Sequence, residues 1–153
     1  MKKEPENLDP FYVELGEAYQ SIAASDQPPV AKLGLYATRS LQLFEEHQHR
    51  FADKPAAMFG TVIDNRAAWF TASSRLFSET IRGAVQTGRF RTVDPEKTGV
   101  LFINAIFALM IRRTRLDAAD SIEDDVRDLI DLYLNGVSFE RMPAPVGPPR
   151  AAV

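Results

Sequence analysis

From Val100 to Ile111 the chain carries twelve consecutive uncharged residues, and Asn104 is the one polar side chain among them. The preceding Asp94-Pro95 pair is typical of a helix start, because aspartate caps the first N–H groups and proline suits the first helical turn. A bilayer-spanning helix needs about 20 apolar residues, so this shorter run is not expected to cross a membrane. It predicts instead a helix of a folded domain that other segments must cover on every side.

The spacing of apolar residues elsewhere predicts further helices, and no segment alternates in the way typical of a half-buried strand. We expect an all-α fold class, a bundle of about five helices in which the last two form a four-helix dimer interface. The predicted helices span residues 9–24, 29–53, 65–87, 95–115 and 121–135. A short element is expected at 56–63. The predicted domains are an N-terminal arm at 1–8, a helical ligand-binding and dimerisation domain at 9–137 and a proline-rich disordered tail at 138–153.

Several turn residues indicate where helices begin and end. Gly88 is expected to stop the third long helix in a left-handed conformation. Ser121 with Asp124 three residues later resembles a capping box and predicts the start of the last helix. Asn135 and Gly136 predict its end.

Length and composition limit the classes of protein that fit the chain. Its 153 residues suit one domain, and 45% hydrophobic residues indicate a packed core. The formal net charge of −3 argues against direct binding to nucleic acid or to an anionic membrane. The absence of cysteine excludes disulfides and thiolate nucleophiles and fits a cytoplasmic protein. The charged residues 1–8 do not resemble a signal peptide.

The last predicted helix has a broad apolar face. Its apolar residues cover roughly 200° of the circumference at 100° per residue, which is wider than one packing partner needs. Five helices cannot enclose both this face and the uncharged run, so a second copy of the chain is the simplest cover. The alternative is that the uncharged run is the central helix of a monomer. The predicted dimer-interface residues are Ile103, Phe107, Met110, Val126, Ile130, Tyr133 and Leu134.

Two segments carry a family resemblance. Residues 79–96, ETIRGAVQTGRFRTVDPE, combine a helix that ends at a glycine turn with an Asp-Pro pair that opens the next helix. Residues 129–137, LIDLYLNGV, close the last helix. Both segments resemble the C-terminal effector-binding and dimerisation domain of TetR/AcrR-type transcriptional regulators.

The resemblance implies a homodimer that binds a small hydrophobic or amphipathic effector and shifts between DNA-binding and released states. Such regulators begin with a helix-turn-helix unit, which this sequence is expected to lack through truncation or natural absence. DNA binding is therefore expected only through that missing N-terminal unit. The resemblance implies no cofactor and no membrane partner.

The predicted ligand-binding residues lie on inward stripes of the long helices and on the short element at 56–63. Most are apolar or aromatic and a few are polar, which suits a hydrophobic ligand held by one or two hydrogen bonds. For each residue the alternative is ordinary core packing. The set comprises Tyr36, Ser40, Leu43, His47, Met58, Phe59, Trp69 and Leu76.

Other function classes have weaker support. His47 and His49 are potential metal ligands, but on a helix they point about 160° apart, so only Glu45 and His49 share a face and no metal site is expected. No enzyme is expected, since a cysteine nucleophile, a glycine-rich phosphate loop and a supported Ser-His-Asp arrangement are all missing. A helical dimeric interaction module without a ligand is the remaining alternative.

Two polar features stand out near the uncharged run. Asn104 is expected to be buried and to need a partner, because an unpaired buried amide costs about 1–3 kcal/mol. Arg112, Arg113 and Arg115 cluster at the end of that predicted helix, where positive charge suits the helix dipole. We expect them to form a solvated helix end rather than an anion site.

Overall fold

The computed structural model describes residues 8–50, 66–115 and 120–135. Within these ranges the chain forms five α-helices and no strand, which confirms the all-α fold class. A 3₁₀ turn, Gln48–Arg50, follows the second helix. The helices are α1 (Pro10–Ala24), α2 (Pro29–His47), α3 (Arg66–Gln86), α4 (Pro95–Arg115) and α5 (Ile122–Asn135). The predicted element at 56–63, the predicted tail and most of the predicted arm lie outside the described residues.

Three helix starts are held by side-chain caps, and two of these caps, Asp94 and Ser121, are the residues that the sequence indicated. The Asp9 carboxylate accepts a hydrogen bond from the main-chain N–H of Phe11 at 2.9 Å. The Asp94 carboxylate accepts from the N–H groups two and three residues later, at 3.0 and 3.1 Å. The Ser121 hydroxyl accepts from the N–H of Asp124 at 3.1 Å. These N–H groups have no partner inside their own helices, so the caps fix where the helices begin.

Helix α3 ends at the predicted glycine turn. Gly88 has a φ of 70°, a left-handed conformation that glycine adopts without the strain a side chain would bring. The N–H groups of Arg89 and Phe90 then donate to the carbonyl of Ala84 at 2.9 and 3.1 Å. These bonds satisfy a carbonyl at the end of the helix, and the predicted stop is confirmed.

Helix α2 lies at the centre of the bundle and packs against each of the other four helices. Helices α3 and α4 share the most extensive contact, and α5 packs mainly on α2. Helices α4 and α5 run antiparallel, since Phe102 near the start of α4 meets Tyr133 near the end of α5, at 4.8 Å between ring centroids. At the other end, Arg112 of α4 bonds Asp125 of α5.

Gly99 allows α3 and α4 to approach closely. A β-carbon at Gly99 would lie 2.7 Å from the hydroxyl oxygen of Ser78 and 2.8 Å from its main-chain nitrogen. Real β-carbon contacts of this kind do not occur, and the main-chain nitrogen cannot rotate away. The contact therefore requires glycine and fixes the rotation of α4 against α3.

Helix α4 has two different faces in this arrangement. Its inner face, formed by Phe102, Ile103, Ile106 and Met110, is fully buried. Its outer face, formed by Val100, Leu101, Asn104 and Ala108, is exposed. Within this chain the helix is thus covered on one side only.

Asn104 corrects an expectation. The side chain is exposed rather than buried, and its amide donates to the carbonyl of Val100 at 2.8 Å. The rotation of α4 that buries Phe102 and Ile106 turns Asn104 toward the outer face, because residues two positions apart point to nearly opposite sides of a helix.

Candidate ligand-binding site and subunit-contact surface

Aromatic rings form a continuous row through the bundle. Tyr19 of α1, Tyr36 of α2 and Phe77 of α3 meet at its centre, with ring centroids 5.4, 4.9 and 4.4 Å apart. Edge-on and tilted ring contacts add to the burial of apolar area, so this row ties the first three helices together. The other members of the row are Phe11, Tyr12, Trp69, Phe102, Phe107 and Tyr133.

Hydroxyl groups cross this row in two hydrogen-bonded pairs. The Tyr19 hydroxyl lies 2.6 Å from Ser40 Oγ, and Ser40 Oγ itself donates to the Tyr36 carbonyl at 2.6 Å. Because serine has a single hydroxyl proton, Tyr19 must be the donor to Ser40. Likewise Thr80 Oγ1 donates to the Leu76 carbonyl at 3.0 Å, so the Tyr36 hydroxyl donates to Thr80 at 3.3 Å.

These bonds involve the side chains of two predicted ligand-binding residues, Tyr36 and Ser40. Tyr36, Ser40 and Leu43 are fully buried. Burial raises the pKa of Tyr36 and of Tyr19 above the ordinary tyrosine value, so both phenols stay neutral at physiological pH. In this conformation the three predicted residues lie in the core, and the polar groups of Tyr36 and Ser40 are satisfied by neighbouring helices.

Trp69 is placed differently, at the edge of the core between α1 and α4. It is partly exposed, and its ring centroid lies 5.0 Å from that of Tyr12 and 6.2 Å from that of Phe107, both edge-on. Its indole N–H is buried and finds no hydrogen-bond acceptor among the described residues. Gly16 lets the indole approach α1, since a β-carbon there would lie 3.1 Å from Nε1. An unpaired buried donor costs about 1–3 kcal/mol, which a bound acceptor would recover.

The remaining predicted ligand-binding residues are dispersed. Leu76 lies two turns after Trp69 on the same side of α3, where it packs against the core and is partly exposed. His47 lies at the last residue of α2, and its Nε2 is 3.3 Å from a carboxylate oxygen of Glu14. Met58 and Phe59 lie outside the described residues. Trp69 borders the buried group on α2 through Tyr19, whose ring centroid lies 6.1 Å from that of Trp69 and whose hydroxyl bonds Ser40.

The predicted dimer-interface residues divide into three groups. Ile103 and Met110 are fully buried within the single chain, on the inner face of α4. Leu134 is exposed at the end of α5. The partly buried residues that pack against the core are Phe107, Val126, Ile130 and Tyr133. The exposed large apolar side chains of α4 and α5 are instead Val100, Leu101, Leu132 and Leu134.

An ion cluster joins α2, α4 and α5, and comprises Arg112, Arg113, Asp125, Asp120 and Glu45. Asp125 is 5% exposed and accepts hydrogen bonds from Arg112 at 2.7 Å and from Arg113 at 2.6 Å. Arg113 also donates through Nε to Glu45 of α2 at 3.2 Å. Arg112 bonds the Asp120 carboxylate just before α5. One buried carboxylate is therefore shared by two guanidinium groups.

The ion cluster corrects the expectation of a solvated helix end for Arg113, whereas the Arg112 side chain is 39% exposed. Hydrogen bonding to Asp120 and the charge of Asp125 raise the pKa of Arg112. Burial by itself would lower the pKa of Arg113, but its hydrogen bonds to Glu45 and Asp125 outweigh burial and leave that pKa raised. The Arg113 side chain is 11% exposed, so it belongs to the interior of the protein.

The sequence contained a signal for this cluster. Asp125 stands between Ile122 and Leu129 on the apolar side of the last helix, at spacings of three and four residues. A carboxylate on a face that must be buried needs a cationic partner. The adjacent Arg112 and Arg113, at the end of the preceding antiparallel helix, are the partners that a closer comparison of the two helices would have indicated.

The described residues contain no group of three or more histidine, aspartate or glutamate side chains placed to hold a metal ion. Across the same ranges, no helix has the length and apolar content needed to cross a membrane. Comparison of the chain with protein-family models, with curated proteins and with solved structures gave no match.

Proposed function

We propose that this chain is the ligand-sensing and dimerisation domain of a TetR-like transcriptional regulator, in which a small hydrophobic or amphipathic effector shifts a homodimer between DNA-binding and released states. The observation that carries the proposal is the outer face of α4. It leaves Leu101 54% exposed, although the opposite face of the same helix is fully buried. A second copy of the chain would cover this surface.

The outer face of α4 can pack against the same face of a second copy of the chain. In a two-fold contact each patch meets the same patch, so charges of one sign would repel across the axis. Residues 98–111 contain no charged side chain, and the polar Asn104 in their middle is a neutral amide. The exposed Leu132 and Leu134 of α5 add further apolar area that association would remove from water.

The effector part of the proposal is supported by Trp69. Its buried N–H lacks an acceptor among the described residues, and its ring is bordered by the edges of Tyr12 and Phe107. Such a combination suits a ligand with a flat or extended apolar body and one acceptor oxygen. Since Phe107 belongs to α4, a ligand in contact with both rings would act directly on the dimerisation helix.

Dimerisation is tested by sedimentation of the native chain and two charged variants. We expect the native chain to be a dimer at micromolar concentration and Leu101→Glu to be a monomer, because two glutamates would face each other across the axis. Leu35→Glu is the matched control, since Leu35 is 42% exposed and belongs to α2 rather than to α4. That variant is expected to remain a dimer. A monomeric native chain contradicts the proposal.

Effector binding is tested with the fluorescence of Trp69, which is the single tryptophan of the sequence. Decanoate and naphthoate, each with an apolar body and acceptor oxygens, are expected to change its emission saturably and to raise the melting temperature. Trp69→Phe keeps an aromatic ring but removes the N–H, and is expected to weaken the thermal shift while the dimer persists. No response from the native chain to a wider set of amphipathic probes contradicts a sensing role.

A dimeric interaction module without a ligand is the second candidate. It is favoured by the complete burial of Tyr36, Ser40 and Leu43, because the hydroxyl groups of Tyr36 and Ser40 already have partners. The sedimentation and fluorescence experiments described above distinguish the two candidates. The module gives a dimer that Leu101→Glu dissociates but shows no saturable change in Trp69 emission.

A further inference from the structure

We propose that α5 is a displaceable helix and that the ion cluster of Arg112, Arg113, Asp125, Asp120 and Glu45 is the latch that holds it against α2 and α4. In the closed state α5 is docked as the structure shows. In the open state α5 leaves its site while α1 to α4 stay folded. The inference concerns this chain alone and does not require the proposed function.

The first observation is how little of α5 is buried. Asp125 and Leu129 are its buried residues, whereas α2 buries seven, six of them apolar or aromatic, namely Leu33, Tyr36, Ala37, Leu41, Leu43 and Phe44. Docking of a helix is driven mainly by removal of apolar area from water. Because one of the two deepest positions of α5 is a carboxylate, α5 gains less from docking than α2 does.

The second observation is the way in which the carboxylate is held. Asp125 bonds Arg112 through one oxygen and Arg113 through the other, at 2.7 and 2.6 Å. Buried ion pairs offset their loss of hydration only when they are fully bonded, and both charges regain water when the pair opens. The docked state thus depends on the geometry of the latch, and opening recovers hydration chiefly for Asp125 and Arg113, whose side chains are 5% and 11% exposed.

The third observation is that the latch depends on three helices at once. Arg113 of α4 lies between Asp125 of α5 and Glu45 near the end of α2. A shift of the end of α2 moves Glu45 and withdraws one of the two carboxylates that position the Arg113 guanidinium. The latch therefore links the position of α2 to the docking of α5, which is the form of a two-state device.

Hydrogen exchange of the full chain tests the latch residue by residue. We expect the main-chain amides of α5 to exchange faster than those of α2 and α3, because local opening exposes them without global unfolding. Arg113→Met is expected to speed α5 exchange by about tenfold or more, since Asp125 loses a partner, and to leave α2 and α3 within about twofold of native. Arg113→Lys keeps the positive charge but loses the forked guanidinium group. This variant is expected to fold and to speed α5 exchange less than Arg113→Met does.

Arg127→Met is the matched control. Arg127 forms an ion pair with Asp124 of the same helix, on the exposed side of α5, and has no ion pair with another helix among the described residues. Its removal is expected to leave α5 exchange unchanged. Each rate is measured at two protein concentrations, so that a change caused by dimer dissociation is recognised by its dependence on concentration. Unchanged α5 exchange in both Arg113 variants, or equal acceleration in all five helices, overturns the proposal.

Discussion

The two faces of helix α4 are built of similar apolar residues and have opposite environments. Phe102 and Ile106 on the inner face are fully buried, whereas Val100 and Leu101 on the outer face are 37% and 54% exposed. Helices α2, α3 and α5 account for the inner face, and no described helix covers the outer one. An apolar sequence therefore indicates that a helix needs to be buried. Which of its faces is buried depends on the helices that pack against it.

The rotation of α4 depends on small features at its surface. Gly99 touches the backbone of α3, and Arg112 and Arg113 reach α5 from the opposite end of the helix. Only one rotation of α4 about its own axis allows the Gly99 contact at one end and the two arginine bonds to α5 at the other. An apolar run alone would have packed equally well in several rotations, because it has no polar face to keep in water.

The comparison of the two faces is tested most strongly by truncating adjacent residues of α4. Phe102→Ala is expected to lower the free energy of unfolding by about 3–5 kcal/mol, because it opens a cavity beside Phe77 and Tyr133. Leu101→Ala is the matched control and is expected to cost about 0.5 kcal/mol or less in the monomer. Urea unfolding at low protein concentration measures both. Equal losses would show that the two faces are equally buried.

A second test concerns the backbone contact that fixes α4. Gly99→Ala is expected to destabilise the chain by about 1–3 kcal/mol, since the added methyl group overlaps the main-chain nitrogen of Ser78. Gly34→Ala is the control within α2, where a β-carbon would meet nothing within 4 Å. That variant is expected to stabilise the chain by about 0.5–1 kcal/mol through helix propensity. Thermal or urea unfolding that gives both variants the same sign would contradict the close approach.

The smallest expected effect is a pH dependence of stability, and it comes from Tyr133 at the edge of the inner face of α4. Burial raises the pKa of Tyr133 from 10.0 to about 12, so the folded chain holds this phenol proton more tightly than the unfolded chain. The stability from this difference is present below pH 10 and is lost as the pH rises toward about 12.

Tyr133→Phe removes this dependence. The variant is expected to match the native chain at pH 8 and to exceed its stability by up to about 1 kcal/mol at pH 11. Urea unfolding at the two pH values checks the prediction. A constant difference between the variant and the native chain would indicate that water reaches the Tyr133 hydroxyl freely.

The helices and their ends were predictable because local chemistry determines them. The carboxylates of Asp9 and Asp94, the hydroxyl of Ser121 and the backbone of Gly88 act within a few residues of their own positions. Such interactions can be read from short segments, since their partners are main-chain groups that any helix provides.

The side of α4 that faces inward could not be predicted in the same way. Asn104 was expected inside, and Ile103 and Met110 were assigned to a subunit interface, because a run without charged residues gives no direction to its own rotation. In the candidate site, Trp69 was predicted and lies at the edge of the core. Its unpaired N–H depends on contact with Gly16, which is far away in sequence.

The central position of α2 has a consequence for synthesis of the chain. Helix α5, which packs mainly on α2, is separated from it in sequence by the whole of α3 and α4. Ribosomes extend a chain at about 5–20 residues per second, so the α2 surface that α5 covers remains open for seconds on every nascent molecule. A chaperone that recognises apolar helices would find its binding surface in that interval and lose it when α5 arrives.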